Sequence, residues 1–442
     1  MPRMSKTAFF NGSRSASRAH PQRGAATLIV VMVLFFIMAM MAAFANRNLM
    51  FEQRIAANYY RSGVAFDAAE AGAEWALAML NSGNVNGQCQ SIATASLSFK
   101  NRYLTIDPQT RFITALRPNF NIKAKPDAAC VRVDGTGWQC QCSNTGWTVP
   151  AVAAAATMQP SFTITIQPST QAGVMGINSL GCTASSDNEC LAGNTTAVVY
   201  ESSTGKASVS IQVALVSALK MPPPTPLTIA GAVSMDATGL GLHNSDPRSS
   251  GLLMVSGGAN STGWIDSRLD SLPGTPPQQA LISADPALST LTADKLFATF
   301  FGMSPARYQA QPAMRVVTCS ADCATDLVTA YGQGVRLAWI DGAATLGSDI
   351  ILGTAANPML VVVNGALTIN GPKQIFGLLY ARGNIVWTSG TTQPSLLTGA
   401  LIGEGTLRSA GLVDIVYQAA IMNSLSNQVG SFVRVPGSWN SD

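Results

Sequence analysis

The sequence predicts an α+β protein with a long N-terminal helix and a C-terminal all-β domain. Residues 25–45 carry no charge, and the chain runs on to residue 80 without a proline, which is the pattern of one long helix. Residues 161–216 contain segments in which apolar and polar side chains alternate, as in half-buried strands. Residues 335–417 contain short apolar runs separated by glycine, which indicates a β-solenoid.

The N-terminal helix is predicted to change character along its length. About 21 residues from Ala25 to Ala45, at about 1.5 Å each, cover the roughly 30 Å hydrocarbon layer of a bilayer. The next ionised side chain is Arg47. Beyond it, charged and apolar residues alternate, which predicts an amphipathic half up to Leu80. The charged residues there include Glu52, Arg54, Arg61, Asp67, Glu70 and Glu74, and the apolar ones include Phe51, Ile55, Tyr59, Phe66, Ala69, Ala73 and Leu77.

The positive charge of the chain is concentrated before this helix. The formal net charge is +4. Residues 1–24 hold five basic side chains and no acid, so the rest of the chain has 22 basic residues against 23 acidic ones. Because positive residues stay on the cytoplasmic side, the C-terminal mass is predicted to be translocated, and no nucleic-acid surface is indicated.

Two other outcomes for the N-terminus fit parts of the pattern. The triplet Ala43-Phe44-Ala45 matches the small-x-small site of an ordinary secretory signal, so a signal peptidase could cut after Ala45. The apolar run is longer than such signals usually have, and the helix continues past the site. An uncleaved membrane anchor is the second alternative.

All eight cysteines lie beyond the helix, on the side predicted to be translocated. An even number in an oxidising compartment predicts disulfides. The pairs Cys182 with Cys190 and Cys319 with Cys323 are expected, because each is local and isolated in the sequence.

The other four cysteines leave two pairings open. Cys140 and Cys142 are too close in sequence to bridge each other comfortably. Cys89 and Cys130 should therefore each bond to one of them, in either order. A zinc site is the alternative that Cys-x-Cys and Cys-x3-Cys spacings allow, but an exported chain with so few histidines favours oxidation.

Between the helix and the solenoid, the sequence predicts a β-rich region and a linker. Residues 161–167 alternate in polarity, and 197–200 lead through a turn into 208–216, which predicts a hairpin. Residues 222–226, Pro-Pro-Pro-Thr-Pro, indicate a stiff linker or edge-crossing segment. The segment 227–314 is ambiguous, either an insertion or the opening of the next domain, with a helix expected around 292–301.

The solenoid prediction depends on how often short apolar runs recur. Asn-Gly or Gly-Asn pairs stand at several of the intervening turns, and each coil would stack its apolar residues into a continuous column. A β-sandwich is the alternative fold for this region. The runs are 335–340, 346–352, 359–363, 366–369, 374–380, 384–388, 396–402 and 412–417.

The sequence predicts no catalytic site. His243 is the one histidine beyond the leader segment, and beside Asn244 and Asp246 it is expected to be a turn residue. Neither a nucleophile elbow nor a metalloprotease helix is present in the sequence. No cofactor is expected, and a structural calcium ion in the exported region is the one exception considered. The residues considered for an acid/base pair or a calcium site are Asp341, Asp349, Lys373, Arg382, Glu404, Arg408 and Asp414.

The N-terminal pattern resembles type IV pilins and type II secretion pseudopilins, and within them the PilX family of minor pilins. Arg23-Gly24 corresponds to a prepilin peptidase site before the apolar half-helix. The blocks that point to PilX are Glu52-Gln53-Arg54-Ile55-Ala56-Ala57-Asn58 and Ala65-Phe66-Asp67-Ala68-Ala69-Glu70-Ala71-Gly72. Pilins usually carry glutamate at the fifth residue after the cleavage point, where this chain has Ile29. That departure argues against a repeating shaft subunit.

The resemblance implies a domain order and a set of interactions. It implies a prepilin leader (1–24), a helix (25–80) packed on an antiparallel sheet, a disulfide-linked pilin-like domain (81–220) and a β-rich domain (221–442) after the Pro-rich linker. Cleavage would fall between Gly24 and Ala25, with N-methylation. Filament packing would use the helix residues Phe51, Ile55, Tyr59 and Phe66.

The resemblance also implies a function without chemistry. The expected role is that of a minor pilin in the priming or tip complex of a type IV pilus, which serves adhesion and twitching motility. The expected partners are other minor pilins, the major pilin, prepilin peptidase, a tip adhesin and the inner membrane. Before assembly the C-terminal mass would be periplasmic. The alternatives are a GspK-like minor pseudopilin and a membrane-anchored β-helix that binds or cleaves acidic polysaccharide.

Overall fold

The computed structural model describes residues 23–116, 127–133, 135–142, 158–183, 205–259, 263–390 and 392–441. The chain divides into two compact units, residues 1–60 and residues 61–442.

The elements of the described residues are as follows. The α-helices are α1 (Arg23–Leu80), α2 (Phe99–Tyr103), α3 (Pro286–Ser289), α4 (Ala293–Phe301), α5 (Pro305–Gln309), α6 (Cys323–Gly332) and α7 (Ala419–Asn427). The first strands are β1 (Leu104–Ile106), β2 (Ile113–Ala115), β3 (Ala128–Val133), β4 (Gly137–Gln141), β5 (Ser161–Pro168), β6 (Val174–Cys182), β7 (Lys206–Ser217), β8 (Leu227–Ile229), β9 (Val233–Met235), β10 (Leu240–His243), β11 (Met254–Ser256), β12 (Leu269–Asp270) and β13 (Leu281–Ile282). The later strands are β14 (Arg315–Val316), β15 (Leu337–Asp341), β16 (Ala344–Leu346), β17 (Ile350–Leu352), β18 (Met359–Asn364), β19 (Leu367–Asn370), β20 (Lys373–Ala381), β21 (Ile385–Thr388), β22 (Ser395–Gly403), β23 (Leu407–Ala410), β24 (Val413–Val416), β25 (Gly430–Arg434) and β26 (Asn440–Ser441).

An antiparallel sheet forms the first half of the second unit. Its strand order is β4-β3-β5-β6-β7-β25, and β26 also pairs with β7. In β6 and β7 nearly every second side chain is buried, which is the period expected when one face of a sheet covers a core. The strands therefore follow the alternation that the sequence shows.

The last third of α1 packs on this sheet. Ala65, Ala69, Ala73 and Ala76 are buried at spacings of three or four residues, so they form one stripe of small side chains. The helix backbone lies so close to β6 that a side chain at Gly181 would overlap it. The predicted packing of the helix on an antiparallel sheet is confirmed.

The neighbours of β7 differ from the predicted hairpin. The expected partner, residues 197–200, lies outside the described residues. The structure pairs β7 with β6 along its length and with β25 and β26 on the other side. Alternation of polarity identified β7 as a strand, but it does not say which strand lies beside it.

The end of the chain returns to the first sheet, which corrects the predicted boundary of a separate domain 221–442. The side chain of Asn81, just after α1, is hydrogen-bonded to the backbone of β25. Its Oδ1 accepts from the Phe432 amide at 2.8 Å. Its Nδ2 donates to the Phe432 carbonyl at 2.9 Å. Nothing local in the sequence signals a pairing across so many residues.

Between β7 and β25 the chain forms a parallel β-helix. Each full coil has three strands, and all pairings between coils are parallel, as in β18 with β20 and β19 with β21. Columns of aliphatic side chains fill the interior, for example Ala344, Leu367 and Ile385 in register. The predicted solenoid is confirmed, and the β-sandwich alternative is wrong for these residues.

The coils do not stack in the order of the sequence. The coil that begins the β-helix, β8 to β10, lies directly on the last one, because Leu227 pairs with Leu401 and Leu240 with Val413. The chain then passes β11 to β13, returns to the far end of the stack through α3 to α5, and proceeds coil by coil from β14 to β24, with α6 between β14 and β15. The ambiguous segment 227–314 therefore opens the β-helix.

Helices and the Pro-rich segment cover the outside of the β-helix. Aromatic rings of α4 and α5 pack on the outer face of the strands, where Phe297 lies 5.1 Å from Tyr380 between ring centroids. The strands there are buried on both faces, as is usual for parallel sheets. The segment 222–226 is only partly the predicted linker, since Thr225 and Pro226 are buried and the Pro226 carbonyl accepts from the Leu401 amide.

Candidate assembly interface on the N-terminal helix

The predicted cleavage positions lie in the first turn of α1, which begins at Arg23. Gly24 is exposed, and a side chain there would meet no atom within 4 Å. Ala25 follows it inside the helix. The backbone at this junction is therefore not buried by the described residues.

The apolar half of α1 is exposed. From Leu28 to Phe44, large side chains such as Phe35 and Met41 have most of their area uncovered. Within the described residues, α1 is the one helix long and apolar enough to cross a membrane by its length and composition. An uncovered apolar surface of this size indicates contact with lipid or with other helices.

A second apolar stripe continues beyond the membrane-length run. Phe51, Ile55 and Tyr59 are 60%, 54% and 80% exposed, and their spacing of four residues places them on one side of the helix. Phe66 was grouped with them by sequence, and the structure corrects this. Its ring is half-buried and lies 6.1 Å from that of Trp439, so it belongs to the packing inside the second unit.

Among the charged residues of the amphipathic half, some are exposed and one contacts the rest of the second unit. Glu52, Arg54 and Glu70 are exposed. Glu74 forms an ion pair with Arg434 of β25, and so it helps to fix the last strand against the helix. Being roughly half exposed, this pair is expected to contribute at most about 1 kcal/mol.

The disulfides lie in the second unit. The structure bonds Cys89 to Cys142 and Cys130 to Cys140, one of the two pairings left open by the sequence. Cys130 and Cys140 are direct cross-strand partners in β3 and β4. The first pair ties the segment after α1 to the end of β4 at the edge of the sheet.

The other cysteines that the structure describes are also in disulfides. Cys319 is bonded to Cys323 at the start of α6. Cys182 is disulfide-bonded, and its predicted partner Cys190 lies outside the described residues. No described cysteine is free.

The ionisable residues of the β-helix form separate ion pairs. Asp414 forms an ion pair with Arg268 at 2.7 Å, and His243 Nε2, at the end of β10, lies 3.4 Å from the same carboxylate. Lys373 lies 3.8 Å from Asp349. Among the described residues, no three His, Cys, Asp or Glu side chains lie close enough together to hold a metal ion.

Another of these groups, centred on Glu404, joins a helix to the coils. Glu404 accepts from the Tyr380 hydroxyl at 2.9 Å and pairs with Arg382, which also reaches Asp294 of α4. Burial raises the pKa of Glu404 although both partners act to lower it. The Tyr380 hydroxyl, both Glu404 oxygens and all three nitrogens of the Arg382 guanidinium have protein partners, which is the arrangement of a structural contact.

Comparison with known proteins bears on the N-terminal segment. Residues 23–74 match the family described as PilX N-terminal. No curated protein matches the chain. Among solved structures, the competence-associated pilin ComZ from Thermus thermophilus is 12% identical, with 86% of this chain and 97% of that chain covered and a TM-score of 0.19. A score this low carries no weight for the fold. The sequence match, on a helix with an exposed apolar half, shows that the N-terminal segment of this chain is similar to that of PilX proteins.

Proposed function

We propose that this chain is a minor pilin that joins the priming or tip complex of a type IV pilus. Prepilin peptidase would cut between Gly24 and Ala25, and the new N-terminus would be methylated. The helix would then leave the inner membrane for a bundle formed with other minor pilins and the major pilin. The observation that carries the proposal is a PilX N-terminal segment whose apolar side chains are exposed.

Two features favour the tip over the shaft. Ile29 replaces the glutamate that pilins use to neutralise the amino terminus of a neighbouring subunit, and a subunit used once has less need of that charge. The unit that follows the helix combines a sheet with a complete β-helix. A body of that size is difficult to repeat along a narrow filament, whereas a tip has free space. The β-helix would present a surface there or carry an adhesin.

The first experiment determines the N-terminal residue of the membrane-derived protein, by mass spectrometry, in cells with and without prepilin peptidase. We expect Ala25 in the first case and the uncut leader in the second. An N-terminus at Asn46 would indicate ordinary secretion, and an intact Met1 or Pro2 in both strains would indicate a plain anchor. Either result would contradict the proposal.

The exposed stripe gives a second prediction. Ile55→Glu places a carboxylate in the proposed helix contact, where it would have to lose water without a partner. Surface pili should fall about tenfold or more while the protein still reaches the membrane. Gln53→Glu, a charge on the other side of the same turn, is the control. Equal pilus counts for Ile55→Glu and the native protein, at equal protein levels, would remove the stripe from the interface.

A GspK-like minor pseudopilin of type II secretion is the second candidate, because it would use the same helix in the same way. Deletion of the protein separates the two functions. Loss of pili with normal exoprotein secretion supports the minor pilin, and the reverse result supports the pseudopilin. The pilin class points to a structural role, and the separate ion pairs of the β-helix give no support to a polysaccharide-cleaving enzyme.

A further inference from the structure

A cleft in the second unit is lined by positively charged side chains. It has a volume of about 310 Å³ and lies where the end of α1, the α2 region, the edge of the β-helix and the end of α7 meet. Its lining includes Lys100, Arg315 and Arg336, and none of its described lining residues is Asp or Glu. The remaining polar lining consists of neutral side chains such as Asn101 and Asn357.

The three cations have no carboxylate partner among the described residues. Lys100 and Arg336 are partly buried, and Arg315 is exposed. The buried or partly buried cations Arg268, Lys373 and Arg382 of the β-helix each have a carboxylate partner. Cations that are partly removed from water without a counter-charge raise the free energy of the folded state. A bound anion would remove this cost.

Backbone carbonyls hold the three side chains in place. Lys100 Nζ donates to the Gln428 carbonyl at 3.2 Å, and Arg315 Nη2 donates to the Asn81 carbonyl at 3.0 Å. Arg336 Nη1 donates to the carbonyls of Tyr331 and Val335, each at 2.9 Å, and its guanidinium lies 4.1 Å from the centre of the Tyr331 ring.

These bonds use only part of each donor set. Nε and Nη2 of Arg336 make no hydrogen bond with the described residues, and an ammonium group has three donors, of which Lys100 uses one. The free donors are fixed in position before any ligand arrives, so a ligand would bind with little further ordering of the side chains.

Lys100 and Arg336 are close enough to act on each other. Burial and, second, the charge of Arg336 lower the pKa of Lys100 to about 8. An oxyanion between the two would favour the charged lysine and would receive charge-assisted hydrogen bonds from both. The volume is near the lower end of the range for small-molecule sites.

We propose that this cleft binds a small organic oxyanion, a molecule that presents a carboxylate or phosphate group to Lys100, Arg315 and Arg336. The site does not depend on the pilus assignment. The ligand would be either a free organic acid or an acidic sugar. Citrate and glucuronate both carry carboxylates. Tighter binding of citrate would indicate a free organic acid, and tighter binding of glucuronate would indicate an acidic sugar.

The test is calorimetric titration of the full chain in detergent with citrate, glucuronate and inorganic phosphate, against sodium chloride of equal ionic strength. We expect at least one oxyanion to bind at a single site and to raise the Tm by mass action. Arg336→Gln and Arg315→Gln should each weaken binding about tenfold or more. Lys295→Gln, an exposed lysine outside the cleft, should bind as the native chain does.

Substitution of Lys100 distinguishes a residue that binds an anion from one that only packs in the fold. Lys100→Met should abolish binding and leave the Tm unchanged or higher, because the buried charge is gone. Binding to the native chain should weaken as pH rises through about 8, where Lys100 loses its proton. The proposal is overturned if no oxyanion binds more tightly than chloride, or if the folded Arg315→Gln and Lys100→Met proteins bind with native affinity.

Discussion

Gly399→Ala is expected to destabilise the β-helix by about 3–5 kcal/mol. Gly399 stands where β22 turns a corner, with its first half on one face of the coil and its second half on the next. Its φ of +145° suits glycine alone, and an added Cβ would lie 1.8 Å from the Gly377 carbonyl oxygen of the neighbouring coil. Gly377 repeats this geometry one coil away, with the Met359 carbonyl at 1.8 Å. The substitution therefore opens the contact between coils.

The free energy of unfolding in denaturant, followed by circular dichroism on the full chain in detergent, measures this effect. Gly332→Ala is the control, because no atom lies within 4 Å of its Cβ position and its φ is not in the left-handed region. It should be neutral or slightly stabilising. A Gly399→Ala protein with the native midpoint would show that the corner does not need glycine.

Gly181→Ala should cost about 3 kcal/mol or more, by separating α1 from its sheet. The Cβ would lie 2.0 Å from the Ala65 carbonyl oxygen and 2.4 Å from the Ala69 amide nitrogen. Both are backbone atoms of a helix, so no rotamer change can relieve the overlap. The helix would have to move, and the small-residue stripe would lose its contacts with β6.

Gly176→Ala is a matched control on the same strand. There the nearest atom to the new Cβ is Gln167 Cβ at 3.4 Å, an ordinary contact. Unfolding midpoints of the two variants, measured side by side, should differ clearly, with Gly176→Ala close to the native value. Equal midpoints would mean that the helix can shift on the sheet at little cost.

The sequence was most informative where a local pattern has one physical solution. An uncharged run the length of a bilayer is the pattern of a membrane helix or a signal, and α1 contains it without interruption. Short apolar runs between glycines predicted the coils from β15 to β24, because stacking is how such runs bury their side chains. The resemblance to PilX and the match over residues 23–74 depend on the same segment.

Sequence reasoning missed features that depend on distant partners. The grouping of Phe66 with Phe51, Ile55 and Tyr59 followed from their polarity, and only the position of Trp439 shows that Phe66 is partly covered. The pairing of Cys89 with Cys142 became definite once β3 and β4 were placed side by side.

By itself, therefore, the sequence determined the type of each element: a membrane-length helix, alternating strands and a stack of coils. Only the tertiary structure decided that β25 returns to the first sheet, that the first coil stacks on the last, and that Lys100, Arg315 and Arg336 share one cleft. The reason is that the spacing of apolar residues is a local pattern, which shows only which side of a helix or strand is buried. Which element covers it is decided by contacts between residues far apart in the chain, and these leave no mark on local composition.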